Sequence, residues 1–217
     1  MPNQIPIECG HYFHIYNHSN GNDKIFYSNE NYKYFLLKYK ELISPIADTF
    51  AYCLMPNHFH FLVRIIEEEP LFNWLRQQEK IPDETLTLTS LKALSANSFN
   101  ILDIHISKQF SRFFSGFAQA INKQENRLGS LFTRQFKRKK IASEKQLRDT
   151  LIYIHNNPIH HGFVANIENW EHSSFHTFLS DKPTMLLREE AIGWFENKEN
   201  FLFCHKYYSD VLIEEND

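Results

Sequence analysis

The segment from residue 52 to 64 constrains the fold of this chain more than any other, because two apolar runs flank a Pro-Asn turn. This pattern predicts a β-hairpin whose second strand begins near His58. Side chains alternate between the two faces of a strand, so His58 and His60 point to one face while Phe59 and Phe61 point to the other. The alternation therefore predicts a core of phenylalanines on one side of a sheet and a pair of imidazoles on the opposite side. Such a pair can bind a metal ion, but ordinary core or surface histidines share the same spacing.

A second candidate group lies almost a hundred residues downstream, where apolar residues recur at helical spacing from Leu147 onward. Tyr153 and Asn157 are four residues apart, so their side chains are offset by only ~40° around the helix axis. The phenol and the amide oxygen would project together near the helix end, which Pro158 is expected to set. Taken alone, this pattern fits a nucleophile beside a metal ligand and equally a buried tyrosine followed by an asparagine C-cap.

Three segments in this order resemble the REP-associated tyrosine transposases and related single-strand transposases with one catalytic tyrosine, the Y1 group of the HUH nucleases. The segments are Met-Pro-Asn-His-Phe-His (55–60), Tyr-Ile-His-Asn-Asn-Pro-Ile-His-His-Gly (153–162) and Trp-Glu-His-Ser-Ser-Phe (170–175). Residues 12–17 and 122–132 fit the same family, so the resemblance covers roughly residues 11–180. The first segment is fairly specific, whereas the spacing from tyrosine to asparagine gains its weight from the combination.

The resemblance implies a role for four residues. His58 and His60 correspond to the metal-binding histidines, Asn157 to a third protein ligand and Tyr153 to the nucleophile. Two imidazoles and one amide oxygen leave positions for oxygen ligands, which suits Mn²⁺ or Mg²⁺. The implied activity is cleavage and rejoining of single-stranded hairpin or REP-like DNA through a 5′-phosphotyrosine intermediate.

The order of predicted elements favours the α+β class, with a ferredoxin-like antiparallel sheet that carries helices on one face, as in HUH nucleases. We expect this transposase domain to span residues 1–180, with an insertion at about 67–104. Residues 181–217 are expected to form a C-terminal helical extension packed on the domain. A long helix at 106–124 carries an apolar stripe of phenylalanines, which is typical of a core-facing surface.

The net charge of −3 is distributed unevenly along the chain. Residues 105–148 hold eleven Lys or Arg against two Glu, a local balance of +9, whereas the remaining residues hold 12 basic and 24 acidic side chains. A basic tract that leads into the tyrosine helix is the charge pattern expected for contact with a phosphate backbone, although a solvated charge run is the alternative. The predicted DNA-binding residues are Arg127, Arg134, Lys137, Arg138, Lys139 and Lys140.

Other sequence features bear on the cellular location, the cysteines and the oligomeric state of the protein. The chain has no run of 18 apolar residues and no signal-peptide pattern, so we expect a cytoplasmic protein that does not contact a membrane. Three widely spaced cysteines suggest neither a disulfide framework nor a zinc cluster. The long C-terminal part favours a monomer over a homodimer with exchanged tyrosine helices.

Three alternatives to the transposase remain at the level of sequence. A replication initiator or relaxase would use similar histidine chemistry, a domesticated protein would bind hairpin DNA without cutting it, and a structural zinc site ranks last because no cysteine accompanies the histidines. The sequence identifies no base for Tyr153; Asp149 and His155 lie near it along the chain, and a solvated helix carboxylate is the more ordinary role for Asp149. One position departs from the family, because His18 stands where many relatives have an arginine.

Overall fold

The computed structural model describes residues 5–21, 23–78, 87, 101–133 and 135–207. Within them, the strands form one antiparallel sheet in the order β2-β3-β1-β4. The strands are β1 (Tyr12–His18), β2 (Ala47–Leu54), β3 (His58–Ile65) and β4 (Lys137–Ile141). The helices are α1 (Asn29–Leu42), α2 (Glu68–Gln77), α3 (Ile101–Gln124), α4 (Glu144–His160), α5 (Phe175–Leu179), α6 (Arg188–Gly193) and α7 (Lys198–Lys206), with a 3₁₀ turn at Ile167–Asn169.

The strand order and the two helices α1 and α3 that cross between strands reproduce the ferredoxin-like arrangement. The predicted α+β class is therefore confirmed. The hairpin predicted from the Pro-Asn turn is present as β2 and β3. None of the described helices is long and apolar enough to cross a membrane.

Both faces of the sheet are covered, because both sets of alternating side chains on β3 are buried. Phe59 and Phe61 pack against α1 and α3, where Phe35 and Phe114 lie 5.2 Å from the Phe59 ring. On the opposite face, α4 packs on β2 and β3 and buries Leu62 together with its own apolar stripe. The helix cover thus extends beyond the single face expected from the sequence, because the histidine-bearing face also carries apolar residues that need cover.

Helix α4 begins after Ser143, whose hydroxyl caps the helix by accepting a hydrogen bond from the Gln146 amide. The prediction that Pro158 ends this helix is wrong, because α4 continues to His160. Proline lacks an amide proton and so removes one bond of the helical ladder. The next turn is nevertheless closed, since the amides of His161 and Phe163 donate to the carbonyls four and five residues earlier.

The helices after residue 180 lie against α4 and β2. Phe201 of α7 stacks on Phe178 with ring centroids 4.7 Å apart, and His205 of the same helix reaches His155 of α4. The domain boundary at residue 180 stays a prediction. Of the expected insertion at 67–104, the structure describes helix α2 and the start of α3, while residues 79–86 and 88–100 lie outside the described part of the chain.

Candidate active site

The two histidines of the predicted pair open strand β3 and face α4. Both are almost fully buried, at 1% and 0% relative exposure for His58 and His60, and their ring centroids lie 5.2 Å apart. Strand β1 runs alongside, so that Tyr16 is paired with His60 and His18 with His58. Residues paired across antiparallel strands present side chains to the same face, and the imidazoles are therefore enclosed by rings from β1.

Helix α4 brings the other two predicted residues to this pair. The Asn157 Oδ1 atom lies 2.7 Å from Nε2 of His58, and the Tyr153 ring stands edge-on to His60 with a centroid distance of 5.6 Å. Asn157 is fully buried and Tyr153 nearly so. The asparagine side chain therefore reaches a histidine of β3 rather than capping its own helix. The four predicted residues, two from β3 and two from α4, therefore lie in one site.

The surroundings of His58 show how a cation could be held. Its Nδ1 lies 2.8 Å from Oδ1 of Asn57, so both ring nitrogens face oxygen atoms. Burial lowers the pKa of His58 to about 3, although the Asn157 contact opposes the shift. A neutral imidazole has one N–H and can donate to only one of these oxygens. A lone pair on the other nitrogen then faces an oxygen lone pair, an arrangement that a bound cation would stabilise.

Two further observations bear on a metal ion. The Nδ2 atom of Asn157 is buried and has no hydrogen-bond partner among the described residues. Within the same part of the chain, no three His, Cys, Asp or Glu side chains are grouped so as to hold a metal. A metal ion at this site would consequently depend on the amide oxygen of Asn157 as well as on the two imidazoles.

His14 of β1 belongs to this site, although no motif in the sequence points to it. Its Nε2 lies 2.9 Å from Nδ1 of His60, and its ring centroid lies 5.9 Å from that of Tyr153. Burial, together with the nearby charge of Lys139, lowers the pKa of His14 to about 3. The alternation of residues 12–17 could have placed His14 on one strand face, but only the pairing with β3 shows that this is the histidine face.

His18, the residue after the end of the first predicted strand, stacks on His58 with a centroid distance of 4.8 Å. The side chain therefore covers a candidate metal ligand.

Asp149 and His155, which lie near Tyr153 along the chain, have other partners. Lys145 donates to the Asp149 carboxylate on the surface of α4, which matches the ordinary role of a solvated helix residue. His155 is fully buried, with Nε2 2.7 Å from Ser174 Oγ and Nδ1 2.9 Å from His205 Nε2. His155 thus links α4 to the C-terminal helices.

Strand β4 divides the predicted DNA-binding residues between two faces. Lys137 is paired with Tyr16 and Lys139 with His14, so these two lysines share the face of the imidazoles. The Lys137 ammonium lies 5.8 Å from the Tyr16 ring centroid. A positive edge therefore borders the candidate active site.

Three of the remaining predicted cations have partners within the protein. Arg138 donates to the carbonyl of Ile5, and Lys140 forms an ion pair with Glu8, so the N-terminal segment covers the opposite face of β4. Arg127 is ion-paired with Asp23. Arg134 lies outside the described residues.

Known proteins are similar to this chain in sequence and in fold. No protein-family model matches the chain. It is 26% identical over 131 residues to a protein of Haemophilus influenzae described as a "Putative REP-associated tyrosine transposase", and the match covers 59% of each chain. A solved structure titled "Structure of the REP associates tyrosine transposase bound to a REP hairpin" superimposes with a TM-score of 0.55 at 18% identity, covering 84% of this chain and 88% of the other.

The chain is similar to REP-associated tyrosine transposases in sequence and in fold. The resemblance predicted from the three sequence segments is thereby confirmed. The structural match shows that the REP-associated tyrosine transposase fold is shared. The match to the curated relative spans less than two thirds of that protein.

Proposed function

We propose that this chain is a metal-dependent single-strand DNA transposase that cleaves and rejoins hairpin or REP-like DNA through a 5′-phosphotyrosine. The observation that carries the proposal is the meeting of α4 with β3, where Asn157 contacts His58 while Tyr153 lies against His60. Two elements separated by almost a hundred residues place a phenol beside three potential metal ligands. A buried tyrosine with a purely structural function would not need three potential metal ligands beside it.

The donor set fits a small divalent cation. His58, His60 and Asn157 would hold Mn²⁺ or Mg²⁺, since burial lowers the pKa of both imidazoles and keeps them in the neutral form that binds metals. Two of the three donor atoms, Nε2 of His58 and Oδ1 of Asn157, already lie side by side at 2.7 Å. Such an ion supplies Lewis-acid polarisation of the scissile phosphate.

Tyr153 is the nucleophile of the proposed reaction. Its phenol oxygen forms a bond to phosphorus and gives up its proton, while the bond from phosphorus to the 3′ oxygen breaks and leaves a 3′-hydroxyl. The phosphotyrosine keeps the energy of a phosphodiester. A 3′-hydroxyl of a second strand can therefore reverse the step without a nucleotide cofactor.

Single-stranded hairpin DNA is the proposed partner. The structurally similar transposase was solved with a REP hairpin, and in this chain Lys137 and Lys139 border the same face as the imidazoles. Cations at the edge of a groove attract a phosphate backbone irrespective of sequence. We propose that the monomer is the active form, since Tyr153 and the histidines meet within one chain.

The decisive experiment measures covalent attachment of the protein to the 5′ end of labelled single-stranded hairpins, with Mn²⁺, Mg²⁺ or EDTA. We expect an adduct with the wild type in either metal and none with EDTA or with Tyr153→Phe. Tyr52→Phe, which alters a half-buried tyrosine on β2, is the matched control and should retain the adduct.

The same assay separates the alternatives. Hairpin binding without an adduct under every metal would favour a DNA-binding protein that does not cut. An adduct that persists in Tyr153→Phe would assign the nucleophile to another residue. An adduct formed equally well on unstructured single strands would favour a replication initiator or relaxase.

A further inference from the structure

The two imidazoles of the site are held in the same way by different neighbours. The Nδ1 atom of His58 lies 2.8 Å from Oδ1 of Asn57, and the Nδ1 atom of His60 lies 2.9 Å from Nε2 of His14. Asn57 sits at the exposed turn of the hairpin, whereas His14 is buried in the middle of β1. In each histidine, therefore, Nδ1 contacts a residue that does not belong to helix α4.

The chemistry of these contacts restricts the position of the ring proton. The ring of His58 lies between two carbonyl oxygens, 2.8 Å from that of Asn57 and 2.7 Å from that of Asn157, and it can donate its single proton to either one. Only donation from Nδ1 to Asn57 leaves a lone pair on Nε2, the atom that faces helix α4. For His60 there are two possibilities, because either ring of the pair with His14 can donate. Only donation from Nδ1 of His60 leaves its Nε2 atom able to bind a metal ion.

We propose that Asn57 and His14 are positioning residues that hold His58 and His60 as Nδ1–H tautomers and so present both Nε2 atoms to the metal ion. His14 accepts through Nε2 and therefore carries its own proton on Nδ1. The inference rests on the proposed metal-dependent function and adds two residues to it. Neighbours that fix the tautomer and the ring orientation of a ligating histidine typically contribute 10–100-fold to metal affinity.

The first measurement is the tautomer of the histidines in the metal-free wild type, read from the ¹⁵N shifts of the imidazoles at neutral pH. We expect Nδ1–H for both His58 and His60. This readout needs neither metal nor DNA. An Nε2–H tautomer at either ring overturns the inference for that residue, whatever the protein does to DNA.

The second measurement is the dissociation constant for Mn²⁺, determined from the free ion by electron paramagnetic resonance. His14→Phe keeps a buried ring but cannot accept a hydrogen bond, so we expect Mn²⁺ binding weakened by roughly 10–100-fold. His14→Gln can place an acceptor oxygen near the position of Nε2 and should recover most of the affinity. For the exposed turn, the corresponding pair is Asn57→Leu and Asn57→Asp.

A matched control separates positioning from general destabilisation. Tyr39→Phe deletes another buried hydrogen bond, between the Tyr39 hydroxyl and Thr49, among the core aromatics that pack against Phe61. This variant should bind Mn²⁺ like the wild type even if its metal-free melting temperature falls. Unchanged Mn²⁺ affinity in both His14→Phe and Asn57→Leu would overturn the inference and leave the proposed function standing. A wild type that binds no Mn²⁺ would overturn the inference together with the proposed metal dependence.

Discussion

Asn157 of helix α4 directly contacts His58 of strand β3. Its oxygen faces Nε2 of His58, and its amide nitrogen is buried without a hydrogen-bond partner in the described part of the chain. An unsatisfied buried amide group costs about 1–3 kcal/mol. The side chain is thus held at an energetic cost, as expected for a group whose function depends on its oxygen.

Substitutions at Asn157 should distinguish the effect of its side-chain oxygen from the effect of its side-chain volume. Asn157→Leu keeps a similar volume without an oxygen. We expect its affinity for Mn²⁺ to fall at least 10-fold. The metal-free variant should unfold at a similar or higher temperature than the wild type. Asn157→Asp keeps the oxygen and should retain Mn²⁺ binding. The check is Mn²⁺ titration of each variant alongside thermal unfolding. Equal affinity in the leucine variant would remove Asn157 from the ligand set.

One face of strand β4 is available to the proposed DNA, and the other contacts the N-terminal segment of the protein. Lys137 and Lys139 lie with the imidazoles, while Arg138 and Lys140 are bound by the N-terminal segment. Because side chains alternate along a strand, a run of four cations is divided equally between these two tasks. The composition of the tract therefore overstates the number of cations available to a phosphate backbone.

Single alanine substitutions along β4 should reveal this division. Lys137→Ala and Lys139→Ala are each expected to weaken hairpin binding and to reduce the slope of log affinity against log salt by about one. Arg138→Ala is the control on the same strand. It should change this slope little and lower the thermal stability instead. Fluorescence anisotropy over a salt series measures the slopes, and equal slopes for all three variants would contradict the division.

Across the whole molecule, several histidines are buried in a neutral state. Desolvation lowers their pKa values, to about 4 for His205 and well below the ordinary range for His155. The remaining members of this group lie in the candidate site and are His14, His58 and His60. The folded protein therefore resists protonation at pH values where the unfolded chain takes up protons.

Stability should consequently fall as the pH drops below about 6.5, the pKa of a histidine in an unfolded chain. The contribution is fully present above that value and is lost down to the folded pKa, which is about 4 for His205. At pH 5 one such histidine costs roughly 2 kcal/mol. Urea unfolding of the metal-free protein from pH 7.5 to 5 tests this. His205→Phe should reduce the proton uptake on unfolding by about one, and an unchanged pH slope would contradict the assignment.

Local periodicity predicted most of the fold and grouped four residues into two pairs, whereas the roles of these residues came from the resemblance to the transposase family. His58 and His60 follow from alternation on a strand, and Tyr153 and Asn157 from helical spacing, because each pair lies within one element. His14 could not be identified in this way, since its role depends on the register of β1 against β3. The continuation of α4 past Pro158 likewise depends on bonds made by residues beyond the proline.

Helix α4 is enclosed on every side between residues 150 and 158, by the sheet on one face and by the C-terminal helices on the other. Burial of each large apolar side chain contributes about 1.5–3 kcal/mol, so withdrawing this helix would expose much of the core. The tyrosine is thus anchored in the interior of the protein. An exchange of DNA strands at this residue would proceed by movement of the strands past a stationary attachment point, with the protein itself hardly changing shape.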